Sequence, residues 1–316
     1  MASHRAHTPP EGANQLNMDL VDQVTKAYLL TVVGSDAARL RFLAGVWEIQ
    51  SHIDATDRPY PAPSVETARE ALAGGKPIFY LSAPTVPVAE YAEAVAQIAR
   101  YTSEMAGLAV EQAEALRNAD FTAVIDEERL AAAVTSPEAF VAEAASQLGA
   151  RSNTPLTPAT VAFVLVSALV PFLTGPSRIA LEALGESKRH AGRTGRCPVC
   201  GAAASMGRMG ESTQLQGAER VLWCGMCHAE WGYERLRCVR CGSRNPDKLR
   251  YTHLEEDPAH RVHLCDECHG YARFVFVDDL GMPVAMIVED AIATTLDAVA
   301  LELGYTATGD GGKSPC

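Results

Sequence analysis

Eight of the nine cysteines fall into four Cys-x-x-Cys pairs, Cys197/Cys200, Cys224/Cys227, Cys238/Cys241 and Cys265/Cys268. A tight turn aims both thiolates of such a pair at one centre, and two pairs supply the four ligands of a tetrahedral metal ion. The first pair is separated from the second by 23 residues and the third from the fourth by 23 again, and the unit recurs at an offset of 41. The run before each second pair repeats too, Arg220-Val221-Leu222-Trp223-Cys224 aligning with Arg261-Val262-His263-Leu264-Cys265. A tandem duplication of one metal ribbon accounts for both regularities.

A duplicated unit had to close on itself before it was copied. Cys197, Cys200, Cys224 and Cys227 are therefore expected to form one site, and Cys238, Cys241, Cys265 and Cys268 the other. The cross-braced alternative, first pair with third and second with fourth, would divide the copied unit. Gly201 and Gly242 suit knuckles whose next residue needs positive φ. His228 and His269 hold the same place in the second knuckles, and histidine tolerates that region better than most side chains.

The elements that position these pairs come from a chain of 316 residues and 47% apolar composition, enough for a substantial core and two or three domains. The net charge of −12 is uneven: residues 188–273 carry 14 Lys/Arg against 10 Asp/Glu, and the remainder 13 against 29. That polarity disfavours nucleic acid as the partner of the whole chain. Residues 1–16 show neither an apolar signal core nor a twin arginine, so a reducing, cytoplasmic compartment is expected. There, clustered Cys-x-x-Cys means metal rather than disulfide.

The expected fold is α+β and multidomain. A disordered stretch over 1–17 precedes an all-α helical bundle over 18–185 and a Gly-containing linker over 186–196. Two tandem four-cysteine ribbons, rubredoxin-like or zinc-ribbon in kind, follow over 197–234 and 235–280, then a closing helix over 281–305 and a disordered tail over 306–316 that holds the spare thiol Cys316. Leu20, Val24 and Tyr28 recur at helical spacing, and Ser35 is placed to cap a second helix through Leu40, Val46 and Trp47. A short helix around Ala68 ends at Gly74-Gly75, Ile78 to Leu81 reads as extended, and alanine-rich helices occupy 88–117, 120–133 and 137–148.

Residues 159–173 are apolar and uncharged, too short a run to span a bilayer and suited to a buried central helix. Glu48, His52, Asp54 and Asp57 are read as a solvated helix face with no chemistry. Leu215 to Trp223, Lys248 to Leu254 and Phe274 to Val277 have strand character, and Trp231, Tyr233, Tyr271, Phe274 and Phe276 are placed to cover the ribbons. Val288, Ile292, Leu296, Val299 and Leu303 would share one face of the closing helix.

Four other readings bear on the pattern. Cys224-x-x-Cys227-His228 and Cys265-x-x-Cys268-His269 match the covalent haem signature, which leaves the other four cysteines without a use. A catalytic zinc keeps an open coordination position, and four thiolates leave none, so the chain is not expected to be an enzyme. A tetrathiolate iron could still shuttle single electrons, the role of a small electron-transfer protein. Arg235, Arg237, Arg240, Arg244 and Arg250 offer a nucleic-acid-binding zinc ribbon as an alternative, against which the acidic helical half weighs.

The first knuckle, Cys197-Pro198-Val199-Cys200-Gly201, and the Glu230-Trp231 dipeptide after the second resemble the formate dehydrogenase accessory protein family FdhE, as do Glu289-Asp290, Leu296-Asp297 and Gly304-Tyr305 in the closing segment. In the helical half the likeness is confined to Leu40-Arg41-Phe42 and Gly75-Lys76-Pro77. The resemblance implies a cytoplasmic maturation factor that engages the catalytic subunit of formate dehydrogenase, with rubredoxin-like sites for two metal ions per chain on all eight knuckle cysteines. Spacing suits iron and zinc equally. Iron is preferred by resemblance, with zinc the alternative. After Tyr305 the chain becomes Gly-rich, where family members tend towards an Asn-Pro-Phe-type end.

Overall fold

The computed structural model describes residues 17–53, 59–151, 156–184, 195–213 and 217–308. The expectations for 1–16, for residues 186–194 of the linker, for Asp54 and Asp57, and for Cys316 lie outside the described residues.

Among the described residues eight α-helices precede the ribbons: α1 (Met18–Tyr28), α2 (Gly34–His52), α3 (Val65–Ala73), α4 (Val88–Met105), α5 (Val110–Arg117), α6 (Glu127–Thr135), α7 (Pro137–Arg151) and α8 (Pro158–Leu184). Asn17, Ser64 and Asp126 cap α1, α3 and α6 by accepting from backbone N–H groups of the first turn. Ser35 does not cap α2: the helix already begins at Gly34, at φ +60, and the N-cap, Val33, makes no side-chain bond. Ile78–Tyr80 is a 3-10 turn rather than extended, and the 88–117 segment divides at Gly107, at φ +65.

At 27 residues, α8 runs well past its uncharged stretch and is long and apolar enough to cross a bilayer, contrary to the length expectation for 159–173. Burial nonetheless places it in the core: Val161, Val164, Leu165, Ala168, Leu169, Phe172 and Leu173 are buried in one cluster with residues of α4, α6 and α7. Pro171, inside α8, supplies no N–H to the Ser167 carbonyl four residues back. Gln50 Nε2 of α2 donates to that carbonyl at 2.8 Å instead. Tyr91 Oη of α4 likewise donates to Leu165 O at 3.0 Å.

The cysteine-bearing half builds one sheet from β1 (Met206–Thr213), β2 (Gly217–Trp223), β3 (Glu230–Gly232), β4 (Leu249–Leu254), β5 (Asp257–Cys265) and β6 (Gly270–Phe276), in the order β3-β2-β1-β6-β5-β4. Each repeat is an antiparallel ribbon, and β1 and β6 join the two in parallel, from Met206↔Arg273 to Met209↔Phe276. At Gly207 this seam has no room for a side chain: a Cβ there would lie 2.3 Å from the Phe274 ring.

The closing helix expected over 281–305 is two helices, α10 (Met286–Ile292) and α11 (Thr295–Glu302), and the short α9 (Val277–Leu280) precedes them in place of the strand end expected at Val277. The halves of the expected apolar face serve different cores. Val288, Ala291 and Ile292 pack with Val21, Val24, Tyr28 and Trp47, whereas Leu296 and Ala300 pack on Val262, Leu264 and Tyr271. Leu303 is 55% exposed. The tail expected from 306 onward begins in pairing, since Thr306 bridges Gly270 beside β6.

Candidate metal centre

The main core does not stop at the end of the helices. It runs from α4, α7 and α8 through Cys197, Cys200, Cys224 and Cys227 to Trp231 and Phe274. The first knuckle begins beside the Arg196↔Ala203 bridge and the second lies between β2 and β3. In the other ribbon Cys238 and Cys241 follow β3, Cys265 closes β5, and Cys268 precedes β6.

All four knuckles make the same turn for the same local reason. Gly201 N–H donates to Cys197 O at 3.0 Å, His228 N–H to Cys224 O at 2.8 Å and Gly242 N–H to Cys238 O at 3.0 Å. Reversal at that point takes φ positive, at Gly201 (+80), His228 (+58), Gly242 (+75) and His269 (+53). Backbone N–H groups inside the turn point at sulfur: Val199 N donates to Cys197 Sγ at 3.4 Å and Arg240 N to Cys238 Sγ at 3.3 Å.

The structure brings Cys197, Cys200, Cys224 and Cys227 together with all four sulfurs within 4.8 Å of one another, and likewise Cys238, Cys241, Cys265 and Cys268. Sulfur pairs at hydrogen-bonding distance are Cys197–Cys227 3.5 Å, Cys200–Cys224 3.6 Å, Cys238–Cys268 3.8 Å and Cys241–Cys265 3.8 Å. A tetrahedron with metal–sulfur bonds of about 2.3 Å has edges of roughly 3.8 Å, so both sets could hold an ion with little adjustment. No cysteine is shared between the sets.

The thiols themselves argue for a cation. Hydrogen bonding with Cys197 and Cys227, then burial, pushes Cys200 and Cys224 well above the ordinary thiol range. Burial opposes ionisation of Cys227, but bonds from the neighbouring thiols and from Ser177 hold it well below that range. In the second set, a bond from Cys268 brings Cys238 down to about 5 while burial pushes Cys241 up to about 11. Four converging sulfurs cannot all ionise against each other's charge. A divalent cation among them removes that penalty, and its uptake releases the thiol protons.

The surroundings of the two sets differ. Pro198 O and Val199 O accept from Ile78 N and Phe79 N, both at 2.9 Å, so the 3-10 turn of the helical half lies on the first knuckle. Glu138 of α7 accepts from Ala203 N at 2.8 Å and pairs with Arg196 at 3.0 Å, and Ser177 Oγ of α8 reaches Cys227 Sγ at 3.5 Å. Trp231 and Tyr233 are buried against this region as their positions suggested. Around the second set, Arg240 donates to Tyr271 O at 2.8 Å and Ala204 O at 3.3 Å, and Cys241 is exposed.

Two arrangements were invisible in the sequence. Arg220 Nη1 donates to the carbonyls of Glu234, Arg235 and Arg237, and its guanidinium lies 4.3 Å over Phe274, so the first ribbon grips the strap leading into Cys238. Outside both clusters, Glu289 Oε2 accepts from Tyr28 Oη at 2.5 Å and meets His260 Nε2 at 3.0 Å, with Asp257 on the other ring nitrogen at 2.8 Å. Arg220 did stand in the repeated run, the only signal available. His52 and Glu48, by contrast, lie on an exposed face, His52 Nδ1 meeting the Glu48 carbonyl at 2.8 Å.

No family model matches the chain. In sequence it is similar to an FdhE homologue of Stutzerimonas stutzeri, 32% identical over 45% of this chain and 47% of that protein, and to one of Aquifex aeolicus, 31% identical over 45% and 48%. Similarity to the Escherichia coli protein FdhE is 30% identity over 34% of each chain. The matched region thus spans about half the length, or less, of these relatives. In fold, the chain matches the crystal structure of the FdhE protein from Pseudomonas aeruginosa over 95% of both chains, with a TM-score of 0.56 at 20% identity. The resemblance read from the knuckles is therefore present in sequence over part of the chain and in fold over nearly all of it.

Proposed function

We propose that this chain is an FdhE-type accessory protein of the cytoplasm, required for assembly of active formate dehydrogenase, which binds the catalytic subunit of that enzyme and turns over no formate itself. The observation that carries the reading is the pair of closed four-thiol clusters on one sheet joined to a helical body. The FdhE fold match over 95% of both chains supports it. Each cluster supplies the full ligand set of a tetrahedral ion, which leaves no position for a substrate and makes binding the function of the surface around them. Cys197, Cys200, Cys224 and Cys227 are assigned to one ion and Cys238, Cys241, Cys265 and Cys268 to a second, with iron preferred over zinc.

The nucleic-acid reading loses support from the arginines it needed. Arg237 and Arg244 pair with Glu234, Arg250 pairs with Asp266, and Arg240 is spent on backbone carbonyls. The test is direct capture: purified protein mixed with the formate dehydrogenase catalytic subunit, wild type beside the Cys238→Ser/Cys241→Ser variant. Wild type is expected to retain the subunit and the variant to retain less. No capture in aerobic or anaerobic buffer, together with RNA or DNA binding that falls steeply with salt, would transfer the assignment to nucleic acid. Elemental analysis beside a visible spectrum identifies the metal, because ferric tetrathiolate is coloured and zinc is not.

A further inference from the structure

Duplication gave the chain two copies of one ligand set, and the fold then treated them differently. In the first, the four cysteines are 2%, 0%, 0% and 1% exposed in chain order. Three separate parts of the helical half close over them: the turn at Ile78 and Phe79 bonds the knuckle carbonyls, Glu138 bonds Ala203 N, and Ser177 bonds Cys227. Cover extends to the knuckle glycine, where a Cβ on Gly201 would meet Pro77 at 3.1 Å.

Two of the four equivalent positions of the second copy reach water. Cys241, the counterpart of Cys200, is exposed, and Cys268, the counterpart of Cys227, is half-exposed. The three atoms nearest a Cβ on Gly242 all belong to the Arg237 side chain, and no helix of the N-terminal half donates to this knuckle among the described hydrogen bonds. Cys238 and Cys265 remain buried, so the set is anchored on one side and open on the other.

We propose that the second cluster is a metal-exchange site, through which a thiophilic divalent ion enters and leaves by way of Cys241, while the first cluster holds its ion as a permanent part of the core. This rests on reading both clusters as metal sites, though not on the identity of the protein partner. An incoming thiolate or nitrogen donor forms a bond to the ion as the bond from Cys241 sulfur breaks. The released thiolate takes a proton from solvent, the ion's oxidation state is unchanged, and the remaining cysteines follow in turn. At the first cluster the same attack needs the helical half to open, because no sulfur there presents a free face. Exposure of the ligand sulfur sets the rate in this account, as it does for other thiol exchange.

The experiment uses the full chain loaded with zinc and mixed with excess pyridylazoresorcinol, whose colour reports released ion. One ion per chain is expected to leave quickly and the second at least about 100-fold more slowly. Iodoacetamide pulses followed by peptide mass spectrometry identify which thiols open, so no variant is needed to assign the phases. Cys238, Cys241, Cys265 and Cys268 are expected to become alkylated with the fast phase while Cys197, Cys200, Cys224 and Cys227 stay protected. Cys241→Ser is expected to lose the fast-phase ion and keep the slow one. Release of both ions at one rate, or alkylation of the first set before the second, overturns the proposal. Loading below two ions per chain overturns it together with the metal reading beneath it, an outcome that stoichiometry distinguishes from the other two.

Discussion

His269 holds φ at +53 in the knuckle that precedes β6, where its ring lies 5.8 Å from that of Tyr305. Glycine relieves the backbone and loses only the ring contact, whereas a β-branched residue adds strain of about 1–3 kcal/mol. His269→Gly is therefore expected to leave the urea midpoint of the metal-loaded protein nearly unchanged, and His269→Val to lower it clearly. The eight sulfurs and the four residues that turn after them were legible in the sequence because their requirements are local: a two-residue gap, then positive φ. The role of Arg220 was not. Arg261 occupies the same place in the repeat, yet it lies over Phe276 and pairs with Asp279, while Arg220 reaches the three carbonyls of a strap that exists only between the ribbons. Equal positions in a repeat acquire unequal neighbours once the copies pack side by side.

Helix α8 shows how an apparent defect becomes a joint between elements. Pro171 frees the Ser167 carbonyl, and buried Gln50 on α2 satisfies it. Gln50→Leu is expected to cost about 1–3 kcal/mol, the penalty of a buried carbonyl left unpaired. Pro171→Ala restores an N–H to the helix, so in that background the same Gln50 substitution should cost less; a denaturation cycle over the four proteins measures the coupling. The apolar run and its proline were visible in the sequence, but the partner lay 117 residues away. The closing segment failed differently. Val288, Ile292, Leu296 and Val299 keep helical spacing, and what breaks the helix is that its two halves bury against separate cores. At the junction, Thr294 and Thr295 hydroxyls donate back to the Ala291 and Ile292 carbonyls. The parallel seam of β1 and β6 was equally hidden, since each ribbon carries its own hairpin pattern and nothing local specifies which edges meet.

At the scale of the whole molecule, the continuity of the core through the first cluster alters what metal removal should do. Independent ribbons would unfold and leave the helices intact; here Cys197, Cys200, Cys224 and Cys227 belong to the same cluster of buried residues as α4, α7 and α8. Loss of one ion is expected to leave helical circular dichroism and its thermal midpoint nearly unchanged, and loss of the second to lower that midpoint by several degrees or more. The fold is closed a second time where α1, α10 and β5 meet, because Glu289 on α10 bonds Tyr28 on α1 and His260 on β5. His260 and Glu289 are 1% and 0% exposed, and Glu289 Oε1 has no partner among the described groups. Burial alone would lower the His260 pKa, but its hydrogen bonds to Asp257 and Glu289 and their charges raise it to about 9 from an ordinary 6.5. A raised histidine stabilises fully below its unfolded pKa and loses that contribution as pH rises through the folded value. Stability should thus fall between about pH 6.5 and pH 9, an alkaline weakness centred on the α1–α10–β5 junction. His260→Gln keeps hydrogen bonding to the carboxylates without the titrating charge, so it should start less stable near neutrality and show a flatter fall over that window. Urea midpoints across the range decide it: parallel curves for the two proteins would mean that the junction is held by packing of Val21, Val24 and Val288 and not by the charged histidine between its two carboxylates.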